Sequence, residues 1–322
     1  MNVPCPLCRS GNTFVLQKTA PLADSDPLLV TTFIAAGDVL EFVACQECSL
    51  VFRSPRPTNE QTANYYQHIL PPLEPGYMNA IGVSRQRADA RNDRRYSLLF
   101  ADLSRLVVGQ PGHIIDIGGW DGRSLLPWQA AGWETTLVDP GAAKRTLASP
   151  HTRAIGSVAE AIRAELQPAT LITSYHCVEH MPDIDAWIAE SKRLSRADTI
   201  WVIEVPFEII YMRTLLQRTL PASANIHAEH LNFFTPRSLR ALAVRMGLEP
   251  ISVKIVVTPY WFGPTLSLRM IARAPTRQKE TVHLKPLSAR RVRASLALQL
   301  PLWRRVAGLK LRYARLAHPE FW

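Results

Sequence analysis

Two Cys-x-x-Cys pairs stand early in the chain, Cys5 with Cys8 and Cys45 with Cys48. Four thiolates at about 2.3 Å satisfy a tetrahedral Zn²⁺ and leave no open position, which makes such a site structural. Thiolate softness favours zinc over magnesium or calcium. A redox role needs only one pair at a helix start, and unrelated thiols do not fall into two matched pairs within one short module. A second group is the run Ile114-Ile115-Asp116-Ile117-Gly118-Gly119-Trp120-Asp121-Gly122, an apolar strand entering a glycine-rich turn. Gly118 and Gly122 let the backbone approach a ligand closely, at the strand end where open α/β sheets bind ligands. The glycine spacing is not that of a dinucleotide fingerprint, and the acidic Asp116 suits a cationic group better than a pyrophosphate. Asp139, followed by Pro140, closes the next strand, where a carboxylate accepts both hydroxyls of a ribose.

A third group is built on imidazoles. His176 and His180 follow the fourth strand of the pattern below, and His227, Glu229 and His230 share a polar loop after the fifth. Histidine titrates near neutrality and is the natural base for a proton lost during group transfer, and a neighbouring Glu can orient it. As metal ligands, two His and one Glu from a single loop make a poor set. Cys177 reads as a small packing residue. Tyr65 and Tyr66 lie in a connector that either lids an acceptor pocket or simply packs.

The elements that must position these groups follow from hydrophobic period. Alternation near Thr13–Gln17, Val30–Ile34 and Val39–Val43 gives short strands of a zinc ribbon. Ser54-Pro55-Arg56-Pro57 breaks it, and Thr58-Asn59-Glu60-Gln61 opens a capped helix. Residues 84–107 form an Arg-rich helical pattern with Tyr96, Leu98, Leu99, Leu103 and Leu106 as its apolar face. From His113 strands and helices alternate. The strands are His113–Ile117, Glu134–Asp139, Arg153–Gly156, Thr170–Tyr175 and Thr199–Val205, then Ile251–Thr258 and Thr265–Arg273 as a hairpin, since Pro259–Pro264 is too short for a crossover helix. The boundaries expected are 1–55 for the ribbon, 56–110 for a helical connector or lid, 111–275 for the main α/β domain and 276–322 for a basic helical tail.

The glycine turn resembles the first motif of class I S-adenosylmethionine-dependent methyltransferases, D-x-G-x-G-x-G, with Trp120 in place of the middle glycine. The chain is also similar to the zinc-ribbon-bearing group that includes the sugar C-methyltransferases. That similarity rests on Tyr175-His176-Cys177-Val178-Glu179-His180-Met181-Pro182-Asp183, on Glu204-Val205-Pro206, and on His227-Ala228-Glu229-His230-Leu231-Asn232-Phe233-Phe234-Thr235-Pro236. The resemblance implies a Rossmann-like seven-stranded α/β sheet with a small N-terminal zinc ribbon and a helical C-terminal extension. It implies S-adenosylmethionine held by Asp116, Gly118, Gly119, Asp121, Gly122, Asp139, Pro140 and His176. It places acid–base groups at His180, Glu229 and His230, with His227 where those enzymes often have Tyr. The expected activity is C- or O-methylation of a small acceptor: a sugar nucleotide, a glycan, including one linked to lipid, or a secondary metabolite. Two rivals are RNA methylation and a zinc-ribbon adaptor that binds cofactor without turnover. Base methylation at adenine N6 or cytosine N4 usually involves an Asn/Asp-Pro-Pro-aromatic motif, and this chain has Ser174-Tyr175-His176-Cys177 instead.

Composition sets the frame. The 322 residues are 47% hydrophobic and 20% charged, with a formal charge of +10, which suits a globular protein with a sizeable core. The charge is not spread evenly: from Thr265 on there are thirteen basic residues against Glu280 and Glu320. Nucleic acid is therefore not implied by the body of the chain. For the tail three readings stand: a packed helical extension, contact with an anionic membrane surface, and RNA phosphate contact, in falling order of preference. No apolar run is long enough to span a bilayer and the N-terminus lacks a secretory pattern. The expected location is cytoplasmic, or peripheral to the inner membrane if the tail binds lipid, with the cysteines as thiols or metal ligands.

Overall fold

The computed structural model describes residues 3–22, 34–70, 84–107, 109, 111–208, 219–220, 229–260, 263–275, 287–292, 294, 305 and 309. Three strands come first: β1 (Thr13–Thr19), β2 (Glu41–Cys45) and β3 (Val51–Ser54), antiparallel to one another. The predicted strand at Val39–Val43 begins two residues later, because Cys45 N–H bonds Leu50 O (2.9 Å) and draws the strand end into the turn between the second pair of cysteines. The strand expected at Val30–Ile34 lies outside the described residues except Ile34. Residues 51–54, where no strand is expected, form the ribbon's third strand, paired with β2 over all four residues and, at Val51 and Phe52, with Asn232–Phe233 far along the chain.

Helix α1 (Asn59–Asn64) is closed by a capping box: Thr58 Oγ1 accepts from Gln61 N–H (3.1 Å) and Gln61 Oε1 accepts from Thr58 N–H (2.8 Å). Helix α2 (Arg85–Leu103) starts at Ser84, whose hydroxyl accepts from Arg87 N–H. Its buried face holds Leu99 and Leu103 as expected, but Leu106 lies past the helix end and is exposed. Arg95 is buried on this helix, a member that a polar reading of the segment conceals.

The second sheet contains β4 (His113–Ile117), β5 (Glu134–Val138), β6 (Arg153–Ile155), β7 (Ala169–Tyr175) and β8 (Ser195–Pro206). Helices α3 (Leu126–Ala130), α4 (Val158–Arg163) and α5 (Ile184–Lys192) lie between these strands in the chain. Two short strands, β9 (Thr219–Leu220) and β10 (Asn232–Phe233), and helix α6 (Pro236–Arg245) precede a long hairpin, β11 (Glu249–Tyr260) and β12 (Gly263–Arg273). The seven-stranded order is β11-β12-β8-β7-β4-β5-β6, with β12 antiparallel to β8 and the strands β4 to β8 parallel. β4, β5 and β7 are buried almost throughout, as strands covered on both faces must be. Among the described residues no helix is long and apolar enough to cross a membrane.

Strands β9 and β10 do not join that sheet. They extend the N-terminal one to the order β10-β3-β2-β1-β9, with Asn232 opposite Phe52 and Phe233 opposite Val51. Phe42 meets Phe233 edge-on at 5.4 Å between ring centroids. One core therefore runs from Leu7, Leu16 and Phe52 to Phe207, Phe234 and Leu242. Leu287 N–H bonds Gln46 O (2.9 Å) and Val292 is buried, so the start of the basic tail packs on the second cysteine turn. The apolar and basic cluster at Leu296, Leu298, Leu300, Leu302, Trp303, Arg304, Val306, Lys310, Arg312 and Arg315, with Phe321 and Trp322, lies outside the described residues.

The centre of the large sheet carries a buried charge network. Glu204 is fully buried and accepts from Arg95 Nη2 (3.1 Å), Arg269 Nε (2.7 Å) and Thr258 Oγ1 (2.7 Å). Burial alone would push its carboxyl up; Arg269, the hydrogen bond with His176 and Arg95 outweigh that and hold it well below the usual carboxylate range. Removing one partner of such a set leaves uncompensated buried charge, which costs about 3–5 kcal/mol. Glu204→Gln is expected to lower stability by about 3 kcal/mol in urea unfolding. A loss under about 0.5 kcal/mol, typical of a surface change, would mean the two arginines reach water.

Candidate active site

β4 ends by folding its chain over the neighbouring strand, Gly118 N–H bonding Val138 O (2.8 Å). A Cβ on Gly118 (φ 78°) would meet Cys177 Sγ at 2.5 Å, and one on Gly119 would meet Asp116 Oδ2 at 2.2 Å. The turn thus needs glycine at both places, and it leaves bare backbone at the carboxyl ends of β4 and β5. Trp120 takes φ 59°, which costs a residue with a side chain about 1–2 kcal/mol. Two contacts offset this: its N–H donates to Asp139 Oδ2 (3.1 Å), and the Arg145 guanidinium lies 3.4 Å from its ring centroid.

Asp116 is fully buried beneath the turn, accepting from Thr173 Oγ1 (2.7 Å) and from the Ser124 hydroxyl. Burial pushes its carboxyl up to about 6 against the pull of those hydroxyls, so it shapes the turn from below. Asp139 lies at the end of β5. Its Oδ1 accepts from Gly141 N–H (2.8 Å) and Arg145 Nη1 (2.7 Å), beside an exposed Pro140. Arg145 Nε and Nη2 are buried without hydrogen-bond partners. Asp121 turns away from this pocket, to Arg123 Nε (3.2 Å) and Arg85 Nη2 (3.4 Å), and anchors the turn to α2. His176 (φ 52°) turns into the sheet, with Nε2 3.1 Å from Ser267 Oγ and 3.5 Å from Glu204, and burial lowers its pKa.

A few residues along from β7 the second half of the site appears. His180 Nδ1 lies 2.8 Å from Tyr66 Oη and 3.2 Å from Glu229 O, and its Nε2 lies 3.6 Å from Glu179 Oε1. His230 stands edge-on to His180 at 4.6 Å between ring centroids, with Nδ1 2.7 Å from Glu208 Oε2. Burial, then the Glu229 charge, raise the Tyr66 phenol well above its usual range, so it keeps its proton. Glu179 is 1% exposed and neither of its oxygens is hydrogen-bonded to a neighbouring residue. Burial, opposed by its own backbone N–H and reinforced by Glu208, Glu204 and Glu229, raises its carboxyl well above the carboxylate range. Burial likewise pushes the Cys177 thiol up, which removes it as a nucleophile.

His180, Glu229 and His230 thus come together as the sequence suggests, Glu229 reaching His180 through its backbone carbonyl. His227 lies outside the described residues. Glu179, Glu208 and Arg145 had no role assigned from sequence. Glu179 is adjacent to His180 in the same short turn, a usable signal; Glu208 and Arg145 are lone charges with none. The position of His230 depends on the N-terminal sheet. Leu231 N–H bonds Glu179 O (2.8 Å), Leu231 O accepts from Arg53 N–H (3.0 Å), and Asn232 continues as β10 on β3. Arg56 adds donors to Met181 O (2.9 Å) and Pro182 O (3.0 Å).

The four cysteines meet at the far end of that sheet. Cys5 Sγ lies 3.6 Å from Cys48 Sγ and Cys8 Sγ 3.4 Å from Cys45 Sγ, and all four sulfurs fall within 4.8 Å of one another. A tetrahedral ion with 2.3 Å bonds sets sulfurs about 3.8 Å apart, so the donor set fits zinc.

A family model described as a methyltransferase domain matches residues 89–253. No curated protein matches the chain. Among solved structures, the chain is similar to a 1,6-didemethyltoxoflavin-N1-methyltransferase of Burkholderia thailandensis with bound 1,6-didemethyltoxoflavin and S-adenosylhomocysteine. The identity is 19% and the TM-score 0.46, over 75% of this chain and 97% of that one. It is also similar to magnesium protoporphyrin IX methyltransferase of Synechocystis PCC 6803, at 11% identity and TM-score 0.45, over 68% of this chain and 100% of that one. A glycopeptide N-methyltransferase complexed with S-adenosylmethionine matches at 13% identity and TM-score 0.40, over 54% and 92%. The family match spans half of the sequence and takes in the glycine turn, β4 to β8 and the histidine turn after β7, and on it the chain belongs to the methyltransferase-domain family.

Proposed function

We propose that the chain transfers the methyl group of S-adenosylmethionine to a small acceptor carrying a proton that must be lost, such as a sugar nucleotide, a glycan or a secondary metabolite. One observation carries this reading: the glycine turn with Asp139 and the paired imidazoles of His180 and His230 follow the carboxyl ends of neighbouring strands of one sheet. The cofactor supplies an electrophilic methyl on a sulfonium. Bare backbone at Gly118 and Gly119 gives it close approach, Asp116 sets the local charge from beneath the turn, and Asp139 accepts the ribose hydroxyls once Arg145 turns aside. Orientation of two reactants on a rigid sheet supplies much of the rate. On the acceptor side Tyr66, His180 and His230 surround the departing proton, and Glu208 orients His230.

We also propose Zn²⁺ at Cys5, Cys8, Cys45 and Cys48 as a structural ion, and we keep 1–55, 56–110, 111–275 and 276–322 as working domain boundaries. The ribbon's sheet borrows β9 and β10 from the third segment, and the described start of the tail favours packing over lipid or RNA contact.

Cofactor binding tests the reading. Asp139→Ala is expected to weaken S-adenosylmethionine binding by about 1.5–3 kcal/mol in calorimetry, the range for a hydrogen bond to a charged group. Unchanged affinity would mean that the ribose lies elsewhere.

A further inference from the structure

Glu179 presents a problem that the transfer reaction leaves unsolved. Both of its oxygens are buried with no hydrogen bond to a neighbouring residue, although buried polar atoms in folded proteins nearly always have a partner. What faces it is imidazole. His180 Nε2 is 3.6 Å away, and one ring nitrogen each of His180 and His230 and a Glu179 oxygen all lie within 4.8 Å of one another. Two neutral imidazoles and a carboxylate form a ligand set for a divalent transition metal ion.

The outer contacts fit the same use. A metal-binding histidine characteristically gives its other ring N–H to a carboxylate or a backbone carbonyl. His180 has Glu229 O at 3.2 Å and Tyr66 Oη at 2.8 Å on Nδ1, and His230 has Glu208 Oε2 at 2.7 Å on Nδ1. Ligand atoms around one ion at about 2.1 Å lie at most about 4.2 Å apart, so no pair has to close by more than about 0.6 Å. The ligands come from two separate elements, the turn Val178–His180 and the residue before β10, which a reading of the 227–230 loop alone does not reveal.

We propose that Glu179, His180 and His230 bind a second divalent metal ion, distinct from the four-cysteine site and chemically unlike it. Three protein ligands leave open positions, as catalytic metal sites do, and those positions take acceptor oxygens. An oxygen bound there loses its proton to solvent water at lower pH than a free hydroxyl. The purpose of the site rests on the transferase reading; its existence does not.

Metal content of the full chain decides the matter. Protein saturated with Zn²⁺ and desalted is expected to hold two ions per chain, one of them lost in Glu179→Gln and in His230→Ala. Those variants should bind the second ion at least about tenfold more weakly while their S-adenosylmethionine affinity stays at the parental value, which also shows that they fold. Charge-transfer bands of the Co²⁺-substituted protein assign the retained ion to thiolates. One ion per chain in the saturated parent overturns the proposal, leaving Glu179 as a protonated buried acid, and so do two ions that survive both substitutions. Neither outcome touches the transferase reading, which falls only if cofactor binding itself is absent.

Discussion

Cys45→Ser, or removal of the ion by a strong chelator, is expected to loosen the whole N-terminal sheet and to lower methyl transfer with it. In small zinc-dependent modules the apparent binding free energy is on the order of 10–16 kcal/mol and is largely folding free energy, so this is the largest stability effect anticipated for the chain. The cysteine turn is gripped by segments far along the chain. Arg237 Nη2 donates to Glu47 O (2.9 Å), Thr235 Oγ1 to Ser49 O (3.3 Å), and Leu287 N–H to Gln46 O (2.9 Å). Release of that turn frees β3 and therefore β10, on which the placement of His230 depends. Amide exchange is expected to rise over residues 41–54 and 229–237 while β4 and β5 stay protected. Freshly purified protein without zinc, or exchange unchanged on chelation, would remove the structural ion from the account.

His230→Ala is expected to lower turnover by roughly 10²–10⁴-fold, the span associated with loss of a positioned acid–base group, with cofactor affinity nearly intact. The separation follows from geometry: His230 contacts His180 and Glu208, whereas the proposed cofactor side rests on Gly118, Gly119 and Asp139. His180→Ala should show the same split between turnover and cofactor affinity. Parental turnover in His230→Ala would reduce this residue to packing.

Much of this was legible in the residues. The strands at 113–117, 134–138, 153–155 and 169–175 were visible because buried parallel strands are short, apolar and bounded by turns. The glycine turn was visible because Gly118 and Gly119 have no room for a side chain. The cysteine site was visible from spacing alone. What escaped depends on contacts between distant segments. Arg95 reads as one more charge on a polar helix, and only Glu204, 109 residues away, explains its burial. Val51–Ser54 carries no strand signal of its own beside the Pro55 break, and its outer edge is closed only by Asn232–Phe233, far along the chain. Glu179 belongs to the motif after β7, yet nothing in its neighbours foretells that both oxygens are buried without a hydrogen bond to another residue.

The shared sheet also imposes an order in time. The hydrogen bond from Thr235 to Ser49 O joins residues 186 positions apart, so at ordinary synthesis rates of about 5–20 residues per second the second partner emerges roughly 10–40 s after the first. Zinc capture needs the chain only as far as Cys48. Closure of β3 by β10 needs it as far as Phe233, and until then one edge of β3 is open to pairing with a neighbouring nascent chain. Overproduction under zinc limitation should therefore yield aggregated chains in which β3 has found the wrong partner, even though every residue of the site is present.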